Sequence, residues 1–362
     1  MSEKHLLLAA GGTGGHIFPA TALAACAQKE GHSTSLITDK RGLAFLTEQD
    51  KDRFDRIFVL KATHFDGPLS ARFKAFMFFL AESTKVPRLI KKCRPDIVVG
   101  FGGFVSFWPV VWAFIKRFPL AIYQADAVLG RVNKLLSPFV QKITLGFAHT
   151  KGLKKSGQWV GFLTRPSFKR APYPKRLTKD PFRLFVLGGS QGAAIFSQLI
   201  PKAIQLLEKD VQKNIHITQQ CRPEYLADTK EAYQKTHATV VLETFIQDVP
   251  KVLKEAHLVI SRAGTSTLGE LATVGRPALL IPYPYATDQH QKVNAEHVVL
   301  EDGGWMQAQS KLTPSFLAHF LTQCLEAPQM LESKARHIQK LTPGNATSVL
   351  LKVLLSLLPA SD

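Results

Sequence analysis

His16 and Glu270 are the two side chains whose neighbours point to chemistry. His16 closes Gly11-Gly12-Thr13-Gly14-Gly15-His16, directly after the apolar run Leu6–Ala10. A lone histidine is commonly structural, but one at a strand end beside a glycine loop stands where ligands bind, and near neutral pH it can take up or release a proton. Glu270 lies within Ser261–Ala295, SRAGTSTLGELATVGRPALLIPYPYATDQHQKVNA, after the apolar run Leu258–Ile260. There a small-residue turn, Arg262-Ala263-Gly264, leads into the hydroxyl cluster Thr265, Ser266 and Thr267. Free amides at such a helix start, backed by the helix dipole, make an anion site. A carboxylate just inside the helix suits a vicinal diol, because it accepts two hydroxyl hydrogen bonds. Asp288, Gln289, His290, Gln291 and Asn294, beyond the run Ala278–Ile281, are side chains of the kind that read sugar hydroxyls. Together these residues describe a nucleotide-sugar site. Thr267-x-x-Glu270 is also the spacing of a capping box, and the tetrad by itself serves either reading.

The elements that must hold these residues are strands feeding helices. Strand Leu6–Ala10, the glycine loop and a helix from about Pro19 to Glu30 form the opening unit of a doubly wound α/β fold. The loop lacks the Lys-Ser/Thr ending of a P-loop, which disfavours a Walker-type ATPase. Strand-like runs follow at Ser35–Thr38, Ile57–Leu60, Ile97–Gly100, Leu120–Tyr123 and Lys142–Leu145, mostly separated by helical stretches, so a parallel sheet is expected. A Pro- and Lys/Arg-rich passage, Gly161–Arg183, interrupts the periodicity as an interdomain linker. The opening pattern then repeats with strand Arg183–Leu187, loop Gly188–Ala193 and a helix to about Leu207, followed by strands His216–Gln220 and Thr239–Leu242. A chain of 362 residues exceeds one ordinary core. Two Rossmann-like halves are expected, over 1–162 and 163–343, with an apolar C-terminal helix in 344–362 that packs across the domains.

Cys26, Cys93, Cys221 and Cys324 have no paired spacing for zinc or a redox dithiol, and suit reduced thiols in a cytoplasmic protein. The N-terminus reads as a buried first strand, not a signal peptide. The formal charge of +18 is concentrated: residues 61–160 carry 16 Lys and Arg against 4 Asp and Glu. That concentration calls for an anionic partner, and with no nucleic-acid motif beside it a lipid surface ranks above nucleic acid. Ile97–Ile115 has no charged residue over 19 positions, but Gly100, Gly102, Gly103, Ser106 and Pro109 break it into a strand, a turn and a new helix near Pro109. Phe73, Phe76, Met77 and Leu80 form an i, i+3, i+4, i+7 stripe, widened by Phe78 and Phe79 and bordered by Arg72, Lys74, Lys85, Arg88, Lys91 and Lys92. Such a face fits either core packing or docking on an anionic membrane.

The motifs GGTGGHIFPA, GGFVS at Gly102–Ser106, GGSQGA at Gly188–Ala193, FIQD at Phe245–Asp248 and the long Ser261–Ala295 segment resemble, in order and over essentially the whole chain, the MurG family. These are N-acetylglucosaminyltransferases of peptidoglycan synthesis. The resemblance implies a GT-B fold, two Rossmann-like domains facing across a cleft. It implies UDP-GlcNAc held by the C-terminal half, and a lipid-linked acceptor (lipid I) met by the N-terminal half as a peripheral protein on the cytoplasmic face of the inner membrane. It further implies that Thr13, Gly14 and Gly15 approach the donor, with His16 as base at the reacting centre. Ser190 would meet the phosphate region and Ile246 the uracil, through its backbone. Thr265, Ser266, Thr267, Leu268 and Gly269 would line the diphosphate and ribose, with Glu270 on the ribose hydroxyls. Gln291, with His290, would read GlcNAc, and Arg165 matches the arginine of the family's GNPVR segment. The reaction is then an inverting displacement that requires no metal or other cofactor; the one Asp-x-Asp, Asp50-Lys51-Asp52, sits in a charged, surface-like run.

Two departures stand out. Tyr123-Gln124-Ala125-Asp126 replaces the family's His-Glu-Gln-Asn, so Asp126 stands for a donor-binding asparagine and Gln124 for a glutamate, and the GNPVR segment is altered around Arg165. Rival readings are a GT-B transferase with another lipid acceptor such as diacylglycerol, a UDP-GlcNAc epimerase, and a non-catalytic UDP-sugar-binding membrane protein.

Overall fold

The computed structural model describes residues 2–61, 69–175, 180–188 and 193–359. They form two compact units, Met1–Pro166 with Asn345–Asp362, and Ser167–Gly344. In the first, β1 (His5–Ala9), β2 (Ser33–Thr38), β3 (Arg56–Val59), β4 (Ile97–Gly100), β5 (Leu120–Gln124), β6 (Lys142–Leu145) and β7 (Gln158–Trp159) pair in the order β3-β2-β1-β4-β5-β6-β7. Every pairing is parallel. Its helices are α1 (Gly14–Lys29), α2 (Lys40–Leu43), α3 (Glu48–Lys51), α4 (Leu69–Ser83), α5 (Val86–Cys93), α6 (Phe104–Ile115) and α7 (Arg131–Leu136).

A parallel sheet is covered on both faces, so its central strands can be buried at successive positions instead of alternating. β1 shows this directly. Leu6 and Leu8 join one buried cluster with Ile17 and Leu23 of α1, while Leu7 joins another with Val86, Ile90 and Val110.

In the second unit, β8 (Phe182–Leu187), β9 (Ile215–Gln220), β10 (Thr239–Glu243), β11 (Leu258–Ser261), β12 (Ala278–Leu280) and β13 (Gly304–Met306) pair in the order β10-β9-β8-β11-β12-β13, again all parallel. The helices are α8 (Ala194–Gln205), α9 (Lys209–Lys213), α10 (Leu226–Gln234), α11 (Val249–Glu255), α12 (Thr265–Val274), α13 (His290–Leu300), α14 (Pro314–Glu326) and α15 (Pro328–Ile338). The last helix, α16 (Ala346–Leu355), belongs to the first unit, where Leu350, Leu351 and Leu354 are buried in the cluster that holds α1.

In both sheets the chain builds outward in one direction and then returns to build the other. The order therefore reverses between β1 and β4, and between β8 and β11. Loops leaving the carboxyl ends of strands diverge at such a point and open a crevice. Gly11–Gly15 and Phe101–Gly103 leave the first switch point; Arg262–Gly264 leaves the second.

Two helix starts differ from the sequence expectation. α1 begins at Gly14, not near Pro19, and α6 begins at Phe104, not near Pro109. Each proline sits at the sixth helical position, where it removes one intrahelical bond. The glycine turn starts each helix as soon as the strand ends, so the proline does not mark the boundary.

Candidate active site

In the first unit the candidate residues surround His16, the third residue of α1. Thr13 caps α1 with extended backbone and no side-chain hydrogen bond, so side chains leave the first amides of the helix uncovered. The His16 ring is half-buried, with Nδ1 2.9 Å from the Gly11 carbonyl and 3.4 Å from Thr13 Oγ1. The turn is anchored by Asp39, a buried carboxylate that accepts from Gly12 N at 3.1 Å and caps α2 through Gly42 N at 2.7 Å. Sequence reasoning passed over Asp39. Its signal was there, as the first charged residue after β2, where a doubly wound fold sets an acidic side chain beside its glycine turn. Arg165 stacks on the Phe18 ring of α1, 4.6 Å from its centroid.

The departure at Tyr123–Asp126 has a structural account. Gln124 is buried, and its Nε2 donates to the carbonyls of Asp126 (3.2 Å) and Val128 (2.9 Å). Its Oε1 accepts from Gly130 N (3.1 Å) and Asn133 Nδ2 (3.0 Å). An ionised glutamate could not make the two donations. Gln124 is thus a clamp on loop 126–130, and Asp126 is held half-exposed at the loop's start. Tyr123 donates to the Gly161 carbonyl at 3.1 Å, and burial pushes its phenol pKa up, so it stays neutral.

In the second unit the candidate residues are built on α12. Its N-cap is Gly264, with no side-chain cap. That puts Thr267 at the third helical position and Glu270 at the sixth, so the capping-box reading of this tetrad is wrong. Glu270 is buried at 8% exposure, as is Thr265. Ser266 Oγ is buried without a hydrogen-bond partner among the described residues, an arrangement that costs stability unless a ligand completes it. Leu268 is fully buried and Gly269 has no side chain, so they offer a ligand only backbone.

The polar loop after β12 divides into two roles. Gln291, on the first turn of α13, accepts from Tyr283 N at 3.0 Å, and His290 Nδ1 donates to the Thr287 carbonyl at 2.7 Å. Asn294, grouped by sequence with the sugar readers, is fully buried and donates to the Ala263 carbonyl at 3.2 Å, tying α13 to the turn that starts α12. Arg262, also overlooked, donates to the carbonyls of Ile281 and Pro282 and to Gln309 Oε1. Ile246 is buried, beside the exposed Phe245, and Asp248 caps α11. Ser190 lies outside the described residues. Asp50 caps α3 with Thr47 and binds Arg53, and among the described residues no group of three or more His, Cys, Asp or Glu could hold a metal ion.

On α4, Phe73, Phe76 and Met77 are 64%, 48% and 50% exposed, so the stripe faces outward, and Leu80 is half-buried. Phe79 makes the inward contact, packing on Phe107 and Trp108 of α6, while Trp108 Nε1 donates to its carbonyl at 2.7 Å. Phe104, Phe114 and Ile115 of α6 are also exposed. Among the described residues no helix is long and apolar enough to cross a membrane.

Two sheets of the same switched order, each with an uncapped helix at its switch point, are the architecture of a GT-B glycosyltransferase. The family models agree: the glycosyltransferase family 28 N-terminal domain matches residues 6–145 and the family 28 C-terminal domain matches 183–346. Curated proteins named UDP-N-acetylglucosamine--N-acetylmuramyl-(pentapeptide) pyrophosphoryl-undecaprenol N-acetylglucosamine transferase match over most of their length. That of Paramagnetospirillum magneticum is 38% identical over 99% of this chain and 98% of its own. That of Rhodospirillum rubrum is 38% identical over 92% and 86%. The crystal structure of Acinetobacter baumannii MurG superposes with a TM-score of 0.82 at 28% identity, covering 98% of this chain and all of that one. The chain belongs to the MurG family. A UDP-GlcNAc 2-epimerase from Neisseria meningitidis, at TM-score 0.67 and 12% identity, shares the fold alone.

Proposed function

We propose that the chain transfers GlcNAc from UDP-GlcNAc to the MurNAc 4-hydroxyl of undecaprenyl-pyrophosphoryl-MurNAc-pentapeptide (lipid I), with inversion, giving lipid II. The observation that carries this reading is the match to curated transferases over 99% of the chain, which takes in the candidate residues of both units. In this reading Glu270 accepts from the ribose hydroxyls and the Ile246 backbone meets the uracil. The amides of Thr265 to Gly269, with the Ser266 hydroxyl and Ser190, receive the diphosphate, and Gln291 reads GlcNAc. Thr13, Gly14, Gly15, Asp126 and Arg165 complete the donor contacts. His16 takes the proton of the attacking hydroxyl as the new C1–O bond forms. The bond from C1 to the diphosphate oxygen breaks on the opposite face, and UDP leaves with the electron pair. Its growing charge meets backbone amides already oriented at the start of α12, which need no reorganisation.

The acceptor is lipid-linked, and the exposed Phe73, Phe76 and Met77 with their basic border suit an anionic membrane surface. A triple Phe73→Ser, Phe76→Ser, Met77→Ser variant should partition less onto phosphatidylglycerol vesicles while keeping its UDP affinity. Unchanged partitioning would move the docking face elsewhere.

The function is tested by incubating the full chain with labelled UDP-GlcNAc and a lipid I analogue, with diacylglycerol as the alternative acceptor. Labelled lipid II is expected. Transfer to diacylglycerol alone, or donor binding with no transfer, would replace this reading.

A further inference from the structure

We propose that the Gly11 carbonyl and the Gly102–Gly103 turn are a positioning cradle that fixes the tautomer of His16 and leaves one nitrogen, Nε2, open to act. The proposal rests on the reading of His16 as the base. A carbonyl oxygen can only accept, so the ring nitrogen 2.9 Å from Gly11 O, Nδ1, carries the proton. In a neutral imidazole the lone pair then lies on Nε2. Thr13 Oγ1, at 3.4 Å, approaches the same Nδ1 and leaves Nε2 alone.

The two glycines after β4 protect the two ends of this ring separately. A Cβ at residue 102 would stand 3.0 Å from Nε2 and 3.2 Å from Cδ2, crowding the edge that must receive a hydroxyl. A Cβ at residue 103 would stand 2.8 Å from Gly11 O, the atom that holds Nδ1. Both residues have positive φ, +101° and +77°, which side chains rarely adopt. The Gly11 carbonyl is itself held in place, since Ala10 N donates to Ile37 O at 3.0 Å and Gly12 N to Asp39 Oδ1 at 3.1 Å. Asp39 is therefore a positioning residue acting through the turn.

When Nε2 takes the hydroxyl proton, the positive charge spreads over the ring. The Nδ1–H···O=C bond becomes charge-assisted and stronger, so the carbonyl stabilises the imidazolium as it forms. The proton later leaves Nε2 for solvent.

The test uses the full chain labelled with 15N-histidine. A long-range 1H–15N spectrum above the imidazole titration is assigned for His16 by difference from His16→Gln. We expect a protonated, pyrrole-type Nδ1 and an unprotonated, pyridine-type Nε2; the reverse assignment overturns the proposal. In folded Gly102→Ala, kcat should fall by about tenfold or more with KM for UDP-GlcNAc within about twofold, the split expected when ground-state binding is untouched. An unchanged kcat would overturn the crowding argument. Asp39→Ala should lower kcat in the same way, and Asp39→Asn, which keeps an acceptor oxygen, should recover part of it; equal losses in the two overturn the anchoring role. If Gly102→Ala does not fold, the spectrum of the unsubstituted chain still decides. Failure of the base reading looks different: His16→Ala with full turnover removes the base but leaves an Nδ1–H spectrum intact.

Discussion

At Gln124 one side-chain amide makes four hydrogen bonds, two given and two received, inside a loop that leaves β5. The sequence revealed that a carboxylate was missing here, but not what the amide does, because Gln and Glu differ only in donors and the carbonyls they would face lie in the folded loop. Gln124→Glu should lower stability by about 1–3 kcal/mol at neutral pH, the cost of leaving buried carbonyls unpaired and placing a charge against them. Burial and the facing carbonyls raise the pKa of the introduced carboxyl above its unfolded value. The folded state then binds the extra proton between the two values, so stability falls as pH rises through that window. Urea midpoints of the variant and the parent should lie closer together at acidic pH than near neutrality, with one carbonyl still unpaired in the protonated variant; a gap independent of pH would contradict this. The Thr267–Glu270 tetrad teaches a similar lesson. Its spacing suits a capping box, but the cap falls at Gly264, whose own backbone is extended, and spacing alone cannot locate the first helical residue.

At the scale of elements, Arg276 joins two helix ends. It is fully buried, with no carboxylate among its described partners, and its guanidinium donates to the carbonyls of Leu253 and Lys254 at the end of α11 and of Val274 and Gly275 at the end of α12, and also to Ala171 and Pro172. Helix C-termini carry partial negative charge, which suits a cation where carbonyls lack intrahelical partners. Burial lowers its pKa to about 10, so it remains charged at neutral pH. Arg276→Met should cost about 3 kcal/mol or more, since it strands several buried carbonyls together. Calorimetry of the variant checks this, and a loss under about 1 kcal/mol would mean that water or a shifted backbone replaces those bonds. Strands were legible from their apolar runs because a parallel sheet is buried on both faces, as Leu6, Leu7 and Leu8 illustrate. Arg276 was not, since its partners come from segments more than a hundred residues apart, and only the packed fold brings them to one point.

For the whole molecule, repetition of strand, glycine loop and helix announced a doubled fold, and the sheets share one order from different sequences. The same repetition put a glycine loop directly after β1 and after β8, the strands that border the switch points. What it could not supply was the burial along α13, where Gln291 lies near the surface and Asn294 is locked in the interior. The tail illustrates how the ends of the chain support this plan, because α16 seals the face of the first sheet that carries α1. Leu351→Ala should destabilise the first unit by about 2–5 kcal/mol, the usual range for emptying a buried leucine site. A calorimetric trace should show the transition of that unit lowered while the other is unmoved; an equal shift of both would contradict it.

In the proposed reaction donor affinity belongs to α12 and proton transfer to α1. The most direct test measures turnover and UDP affinity together in His16→Ala, with Glu270→Ala as the counterpart. His16→Ala should lose about 10²–10⁴ in turnover, the range for a general base, and keep UDP affinity within about twofold. Glu270→Ala should lose UDP affinity. Near-normal turnover in His16→Ala would contradict the account.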